Sequence, residues 1–275
     1  MNKHRLAFSV VLLAGLIIGL GGIVAFSKRE AFFPKESFGE AQAKIAKPEE
    51  VASYHVKYSA SQRTNVPDLG IDSMTTLEGN YSLPDRAHIT VSRDGFRQEQ
   101  VVVGDSVFTR TELNPDWVRT QVPSGDEMTP LPKPKTGQEE MGYLDDVKTL
   151  PDETMDGVPV NHYVGRVNYE KVLVEDARQR FVNDPDLDSY VERAREVAGR
   201  INATNELWIG KDDGLVRQAR ITGEYRPSPS EMGSFSGGLG VEEVVVNFDT
   251  WLEFSRFNES FAIEVPATSA HPSGL

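Results

Sequence analysis

The stretch that decides the fold is "ELWIGKDDGLVRQARITGEY", residues 206–225. Apolar residues alternate with polar ones on both sides of a central Asp-Asp-Gly, the pattern of two antiparallel strands joined by a tight turn. A sheet face needs a covering layer. Small residues on this face either let a helix pack closely or leave room for a ligand. In the simplest register the face carries Leu207, Ile209, Ala219, Ile221, Gly223 and Tyr225.

The same alternation occurs earlier in the chain, where short polar turns separate consecutive segments. "YHVKYSA" (54–60), "TTLEGNYS" (75–82) and "RAHITVS" (86–92) each place apolar residues at every second position, and two further segments of this kind follow at 96–104 and 106–112. This pattern predicts a meander of antiparallel strands.

The rest of the chain mixes strand and helix patterns. We predict a long surface loop over 121–140, a short helix within 141–150, a strand within 157–169 and a helix over 187–201 that Asp184 or Asp186 caps. Two more strands are expected at 241–257 and 261–266. The expected fold class is α+β, with one continuous antiparallel sheet and helices on one of its faces, forming one domain.

Charge and cysteine content exclude several classes of function. The 275-residue chain has a net charge of -13 and contains no cysteine. An acidic surface repels nucleic-acid phosphates, so we expect no nucleic-acid partner. The lack of cysteine excludes disulfides, thiolate metal sites, a cysteine nucleophile and anchoring through a lipidated cysteine.

The N-terminus carries an uncharged run, Leu6–Phe26, preceded by Lys3 and Arg5. At about 1.5 Å per residue this run spans about 30 Å, the thickness of a bilayer core. We expect an uncleaved membrane anchor with the rest of the chain outside the cytoplasm, and a cleaved signal peptide is the alternative. The expected organisation is an anchor or signal segment over 1–29, a tether and first helix over 30–50, a folded domain over 51–266 and a disordered tail over 267–275.

The sequence contains no recognisable catalytic arrangement. His55, His88 and His162 lie in separate predicted strands, without HxH or HExxH spacing, so metal ligation is not expected. No phosphate-binding loop or nucleophile elbow is found, and no pair of carboxylates stands out as acid and base. We therefore expect neither a cofactor nor an enzymatic activity.

An ordered series of segments resembles a known family. The segments "YSLPDRAHITVS", "VVVGDSVFTR", "NPDWVR", "DGVPVNHYVGRVN", the 206–225 hairpin and "NFDTWLEFSRFNESFAIEVP" resemble, in that order, LppX/LprG-type lipoproteins of the superfamily of LolA-like lipoprotein carriers. The resemblance covers about residues 51–266. It implies a strongly curved antiparallel half-barrel, with helices covering the concave face and an apolar cavity that holds acyl chains of a lipid or lipoprotein.

The resemblance also implies which residues bind ligand. The tyrosines among them either line a cavity mouth or complete a packed core. The candidate ligand-binding residues are Tyr54, Val56, Tyr58, Leu77, Tyr81, Ile89, Leu207, Ile209, Ala219, Ile221 and Gly223.

The chain departs from the family in one respect, because family members are usually anchored by a lipidated cysteine. Leu6–Phe26 would replace that anchor, and a tethered domain favours extraction, presentation or sensing over long-range transport. The expected function is extracytoplasmic binding of acyl chains for transfer or presentation at the cell envelope. The alternative is a membrane-anchored envelope sensor or protein-interaction module on the same fold, with a protein partner and no lipid transfer.

Overall fold

The computed structural model describes residues 48–66, 72–121, 133–228, 231 and 243–267. The expected anchor, most of the tether, nearly all of the expected tail and much of the expected 121–140 loop lie outside these residues. Within them, no helix has the length and apolar character needed to cross a membrane.

The described strands form a single antiparallel sheet. Its order is β6-β5-β4-β3-β2-β1-β11-β10-β9-β8-β7, which leaves β6 and β7 at the two open edges. The strands are β1 (Ser53–Thr64), β2 (Ser73–Ser82), β3 (Arg86–Arg93), β4 (Phe96–Val103), β5 (Ser106–Thr111), β6 (Val118–Gln121), β7 (Leu144–Met155), β8 (Val158–Val167), β9 (Ile201–Gly210), β10 (Val216–Tyr225) and β11 (Val246–Ser255).

The 206–225 hairpin pairs as the sequence predicts. Leu207 of β9 lies opposite Ala219 of β10, and a β-bulge shifts the register only near the turn, between Val216 and Gln218. Because strand side chains alternate between faces, this register fixes which residues of both strands share a side.

Strands β1 and β11 lie side by side at the centre of the sheet, where Val56 pairs with Phe254. From β1 the meander runs outward to β6, and from β7 the later strands run inward to β11. The registers place Tyr54, Val56 and Tyr58 on one side, hereafter the inner face, and His55 and Lys57 on the other, the outer face.

Within the described residues, three α-helices accompany the sheet: α1 (Gly137–Met141), α2 (Tyr169–Arg180) and α3 (Leu187–Ala198). A 3₁₀ turn (Pro48–Glu50) precedes β1. Thr136 and Glu139 form a capping box that starts α1. Asp186 holds the N-cap position of α3 without a side-chain cap bond, while Asp184 Oδ1 accepts the Asp186 N–H. Helices α2 and α3 pack on each other through Val174, Ala177 and Val191.

The prediction of a short helix within 141–150 is wrong, because helix α1 ends at Met141 and Leu144 begins the edge strand β7. Two register shifts interrupt the pairing of β7 with β8, between Asp145 and Lys148 and between Leu150 and Glu153. Each shift breaks the two-residue alternation, so the remaining apolar residues fall at spacings that mimic a helix.

The prediction of a last strand over 261–266 is also wrong, because these residues pair with none of the described strands. Phe261 and Ile263 pack instead against Val101 and Phe108 on the outer face. Arg86 Nη1 donates a hydrogen bond to the Ile263 carbonyl at 3.1 Å, which holds this segment to β3. Sequence patterns did not indicate β6 or α2 as separate elements.

Candidate functional site

The registers bring all eleven candidate ligand-binding residues to the inner face. All of them except Gly223 belong to three apolar clusters there. One lies on β1–β4 and β11 around Tyr54 and Ile89, one on β9 and β10 around Leu207 and Ala219, and one around Ile221. The structure thus places these residues on one side of one sheet, although they are spread along its width.

The three candidate tyrosines belong to the packed core. Tyr54 and Tyr81 stack at 4.8 Å between ring centroids, and Tyr54 meets Phe254 edge-on at 5.8 Å. Tyr54 and Tyr81 are fully buried and Tyr58 nearly so. Burial raises the pKa of all three hydroxyls well above its ordinary value, so they stay neutral. These rings complete a core and do not line an open mouth.

Gly223 and Gly79 have a structural reason to be glycine. A Cβ at Gly223 would lie 2.4 Å from the Asn202 carbonyl oxygen and 2.5 Å from the Ala203 Cβ. A Cβ at Gly79 would lie 2.9 Å from the His88 carbonyl oxygen. At both positions the neighbouring strand approaches so closely that no side chain fits. Such close approach, which is common in bent or coiled sheets, requires glycine.

The helices cover the inner face over one half of the sheet. Tyr169 of α2 and Ala198 of α3 pack with Ala203, Ile221 and Phe248. Met141 of α1 packs against the cluster of Leu207 and Ala219. The coarse prediction that helices lie on one face of the sheet is confirmed for β9–β11.

The other half of the inner face, over β1–β6, carries apolar side chains that remain partly open. The buried cluster on this half includes Val51 and Leu215 from outside the strands. It contains none of the described residues of α1–α3. Beside this cluster, side chains further along the strands are only half-buried, and two at the far end are exposed. We call this set the inner apolar strip: half-buried Ala60, Leu77, Val91 and Val107, with Phe96 42% and Val118 48% exposed.

Two polar atoms on the inner face are buried without a described hydrogen-bond partner, the Tyr81 hydroxyl and Asn205 Oδ1. Asn205 is 3% exposed. It was missed as a candidate, although the sequence carries a signal for it: in "INATNELWIG" an asparagine occupies a position where the alternation calls for an apolar residue.

A buried ion pair lies where α3 leads into β9. Glu231 accepts hydrogen bonds from Arg200 Nη2 at 2.8 Å and from the Ser228 N–H at 2.7 Å. Burial alone would raise the pKa of Glu231, but the hydrogen bonds from Ser228 and Tyr225 and the charge of Arg200 together lower it. This carboxylate is therefore ionised and ties the segment after β10 to the end of α3.

The outer face is largely polar and charged. His55, His88 and His162 all lie there, each within 3.3 Å of a glutamate carboxylate, as expected for polar strand residues. Among the described residues, no group of three His, Cys, Asp or Glu side chains is arranged to hold a metal ion.

The three tryptophans also belong to the outer face. Trp208 stacks on His162 at 4.2 Å, and Trp251 pairs with outer-face Arg220. Trp117 packs with the outer-face cluster of Val101 and Phe108.

Comparisons with known proteins return only solved structures, since no family model and no curated protein matches the chain. LppX of Mycobacterium tuberculosis is 15% identical, over 79% of this chain and 92% of that one, with a TM-score of 0.37. LprF of Mycobacterium bovis is 11% identical, over 80% and 91%, with a TM-score of 0.39. A LolA superfamily protein of Nitrosomonas europaea is 9% identical, over 82% and 91%, with a TM-score of 0.25.

These proteins belong to the group that the sequence series resembles. At such identities and TM-scores, the matches carry no argument about what this chain binds or where it resides. That question rests on the chain's own residues.

Proposed function

We propose that this protein binds the acyl chains of a lipid or an acylated lipoprotein against the inner face of its sheet, outside the cytoplasm, for transfer or presentation at the cell envelope. The observation that carries the proposal is the inner apolar strip. Its six residues lie on β1–β6, one on each strand, on the half of the sheet that the described helices leave uncovered.

A partly open apolar strip on the inner face of the sheet suits a slender apolar ligand. Each methylene moved from water onto such a surface contributes about 0.8 kcal/mol, so a long acyl chain gains affinity from length alone. Leu77 and Val91 lie directly opposite each other on neighbouring strands and provide an apolar floor on β2 and β3. The outer face carries charged pairs, and its apolar cluster of Val101 and Phe108 is packed against Phe261 and Ile263.

The N-terminal run supports a location at the membrane surface. Leu6–Phe26 has the length of a membrane anchor, with Lys3 and Arg5 on the side expected to stay in the cytoplasm. An anchored domain reaches lipids of the membrane in which it is held. Presentation or extraction at that surface therefore suits this chain better than free diffusion as a soluble carrier.

Native mass spectrometry of the full chain, purified from membranes and followed by organic extraction, tests the proposal. We expect an acylated lipid to co-purify in near-stoichiometric amounts. Val91→Trp should fill the inner apolar strip and lower the bound lipid at least about tenfold, through lost contact area and steric exclusion. Thr90→Trp is the matched control, because Thr90 is the adjacent half-buried residue on the outer face of the same strand.

Two results would contradict lipid binding at this strip. Equal loss of lipid from both variants would mean that the strip is not the site. A clean polypeptide mass, with no uptake of added lipid, would favour the sensor or protein-interaction alternative.

A further inference from the structure

Asn205 lies in the middle of the inner face, in an apolar setting. It is on β9, opposite Gly165 of β8 and Ile221 of β10. Along its own strand the neighbours on the same face are Ala203 and Leu207, both buried. Asn205 is itself 97% buried, being 3% exposed, and its Oδ1 accepts no hydrogen bond from any described residue.

On the side of β8, the residue opposite Asn205 is Gly165, which offers no side-chain hydrogen-bond donor. Gly165 has no side chain, and a Cβ built there would meet Leu144 Cβ at 3.0 Å, the Asp145 carbonyl oxygen at 3.1 Å and Val147 Cγ2 at 3.2 Å. Two of these atoms are aliphatic and the third is an acceptor. On the side of β10, Ile221 presents only hydrocarbon.

A buried acceptor without a donor is destabilising, and most proteins avoid one. An apolar residue such as leucine would fill the position of Asn205 without this cost. A ligand that donates a hydrogen bond would remove the cost only in the bound state, so the group would add to affinity and specificity.

We infer that Asn205 Oδ1 accepts a hydrogen bond from an N–H or O–H group that the ligand carries next to its acyl chain, and that the preferred ligand is an amide-linked acyl compound. This inference rests on the proposed function, since it needs an acyl ligand on the inner face. Cross-strand pairs lead from Asn205 through Ile221 and Thr250 to Ala60, a member of the inner apolar strip. An acyl chain on the strip would reach Asn205 along this row, beneath the helices that cover β9–β11. An amide is the simplest group that places a donor directly beside a long hydrocarbon chain. An ester of the same length has the carbonyl and the chain but lacks the donor.

The test compares two probes that differ in one group, N-methylhexadecanamide and methyl hexadecanoate. Binding of each to the full-length protein is measured by native mass spectrometry or by competition with a fluorescent fatty ligand. We expect the amide to bind about fivefold more tightly than the ester, because one additional net hydrogen bond contributes about that ratio of dissociation constants. In Asn205→Leu the two probes should bind equally, and the melting temperature of the empty protein should rise because the unpaired acceptor is gone.

Asn202→Leu is the matched control. Asn202 lies on the same strand but on the exposed outer face, so this variant should keep the preference for the amide. Two larger amides identify the source of the ligand: tighter binding of N-hexadecanoyl-glycylserine indicates an acylated polypeptide, and tighter binding of N-hexadecanoyl-ethanolamine indicates a lipid.

Equal affinity of the wild-type protein for the amide and the ester would overturn the inference while leaving acyl binding intact. A preference for the amide that persists in Asn205→Leu would overturn the role of this residue. If neither probe binds, and no acyl lipid co-purifies, the proposed function fails and the inference fails with it.

Discussion

At the scale of single residues, Gly223 shows how a small side chain can be explained in two ways. The sequence alone allows it to leave room for a ligand or to permit close packing. Its hypothetical Cβ would lie 2.5 Å from the Ala203 Cβ. Directly opposed residues on antiparallel strands usually have Cβ atoms about 4.5–5.5 Å apart. Close strand approach is therefore sufficient to require glycine here, and it needs no ligand.

Gly223→Ala should destabilise the fold by about 2 kcal/mol, because the new methyl group overlaps backbone and Cβ atoms of β9 that cannot rotate away. Gly199→Ala is the control. A Cβ at Gly199 would meet its nearest atom at 3.6 Å, and this residue has a helical φ of -63°. Chemical denaturation measures both. Equal stabilities of the two variants would show that the contact at Gly223 relaxes freely.

Glu231 should make the stability of the fold depend on pH. Its folded-state pKa lies below the ordinary glutamate value, so its contribution to stability is present above the unfolded pKa and is lost as the pH falls through the folded pKa. Glu231→Gln should cost about 2 kcal/mol at pH 7, since Arg200 loses a charged hydrogen-bond partner. The difference from wild type should shrink as the pH falls below about 4.3.

The control for this variant is Glu243→Gln. Glu243 pairs with Arg226, but both side chains are about half exposed, so solvent screens the pair. Denaturant midpoints measured from pH 7 to pH 3 should show almost no effect of Glu243→Gln at any pH. A loss at Glu231 that is independent of pH would contradict the role of its charge.

At the scale of secondary structure elements, the sequence predicts the regular strands and misses the irregular ones. The structure confirms the predicted strands β1–β5, β8, β9, β10 and β11, most of which alternate apolar and polar residues. Strand β7 could not be recognised because its two bulges remove the alternation. Strand β6 is only four residues long, too short for a pattern. Phe261 and Ile263 pack against Val101 and Phe108, which are distant in sequence, so no local pattern predicts where they lie.

Helix α1 is held on the sheet by an unusually close contact at its first residue. A Cβ at Gly137 would lie 2.2 Å from Ile209 Cδ1 and 2.8 Å from both Cγ1 and Cγ2. Gly137→Ala should therefore lift α1 from β9 at a cost of about 1–3 kcal/mol. Amide hydrogen exchange should become faster at Glu140 and Gly142, whose N–H groups bond within this turn.

Exchange in β3 and β4 should stay unchanged in Gly137→Ala, because these strands lie in the other half of the sheet. Adding Ile209→Val removes the Cδ1 methyl group and should restore part of the protection. Unchanged exchange in the single variant would show that α1 tolerates the methyl group where it lies.

At the scale of the whole molecule, the alternation along each strand is enough to predict a large antiparallel sheet with one apolar face and helices against it. It does not reveal how far the helices reach across that face. Coverage depends on contacts between residues distant in sequence, such as Tyr169 with Phe248, and the sequence of α2 carries no clear apolar stripe to indicate them. The inner apolar strip and the buried Asn205 therefore emerge only from the assembled sheet.

The position of the tryptophans determines which optical signals can report on ligand uptake. All three indoles lie on the outer face, whereas the stacked rings of Tyr54 and Tyr81 lie on the inner face. A ligand bound on the inner face should leave the tryptophan emission spectrum nearly unchanged and alter the near-ultraviolet circular dichroism of the tyrosines. A screen based on tryptophan quenching would miss such a ligand even at saturation.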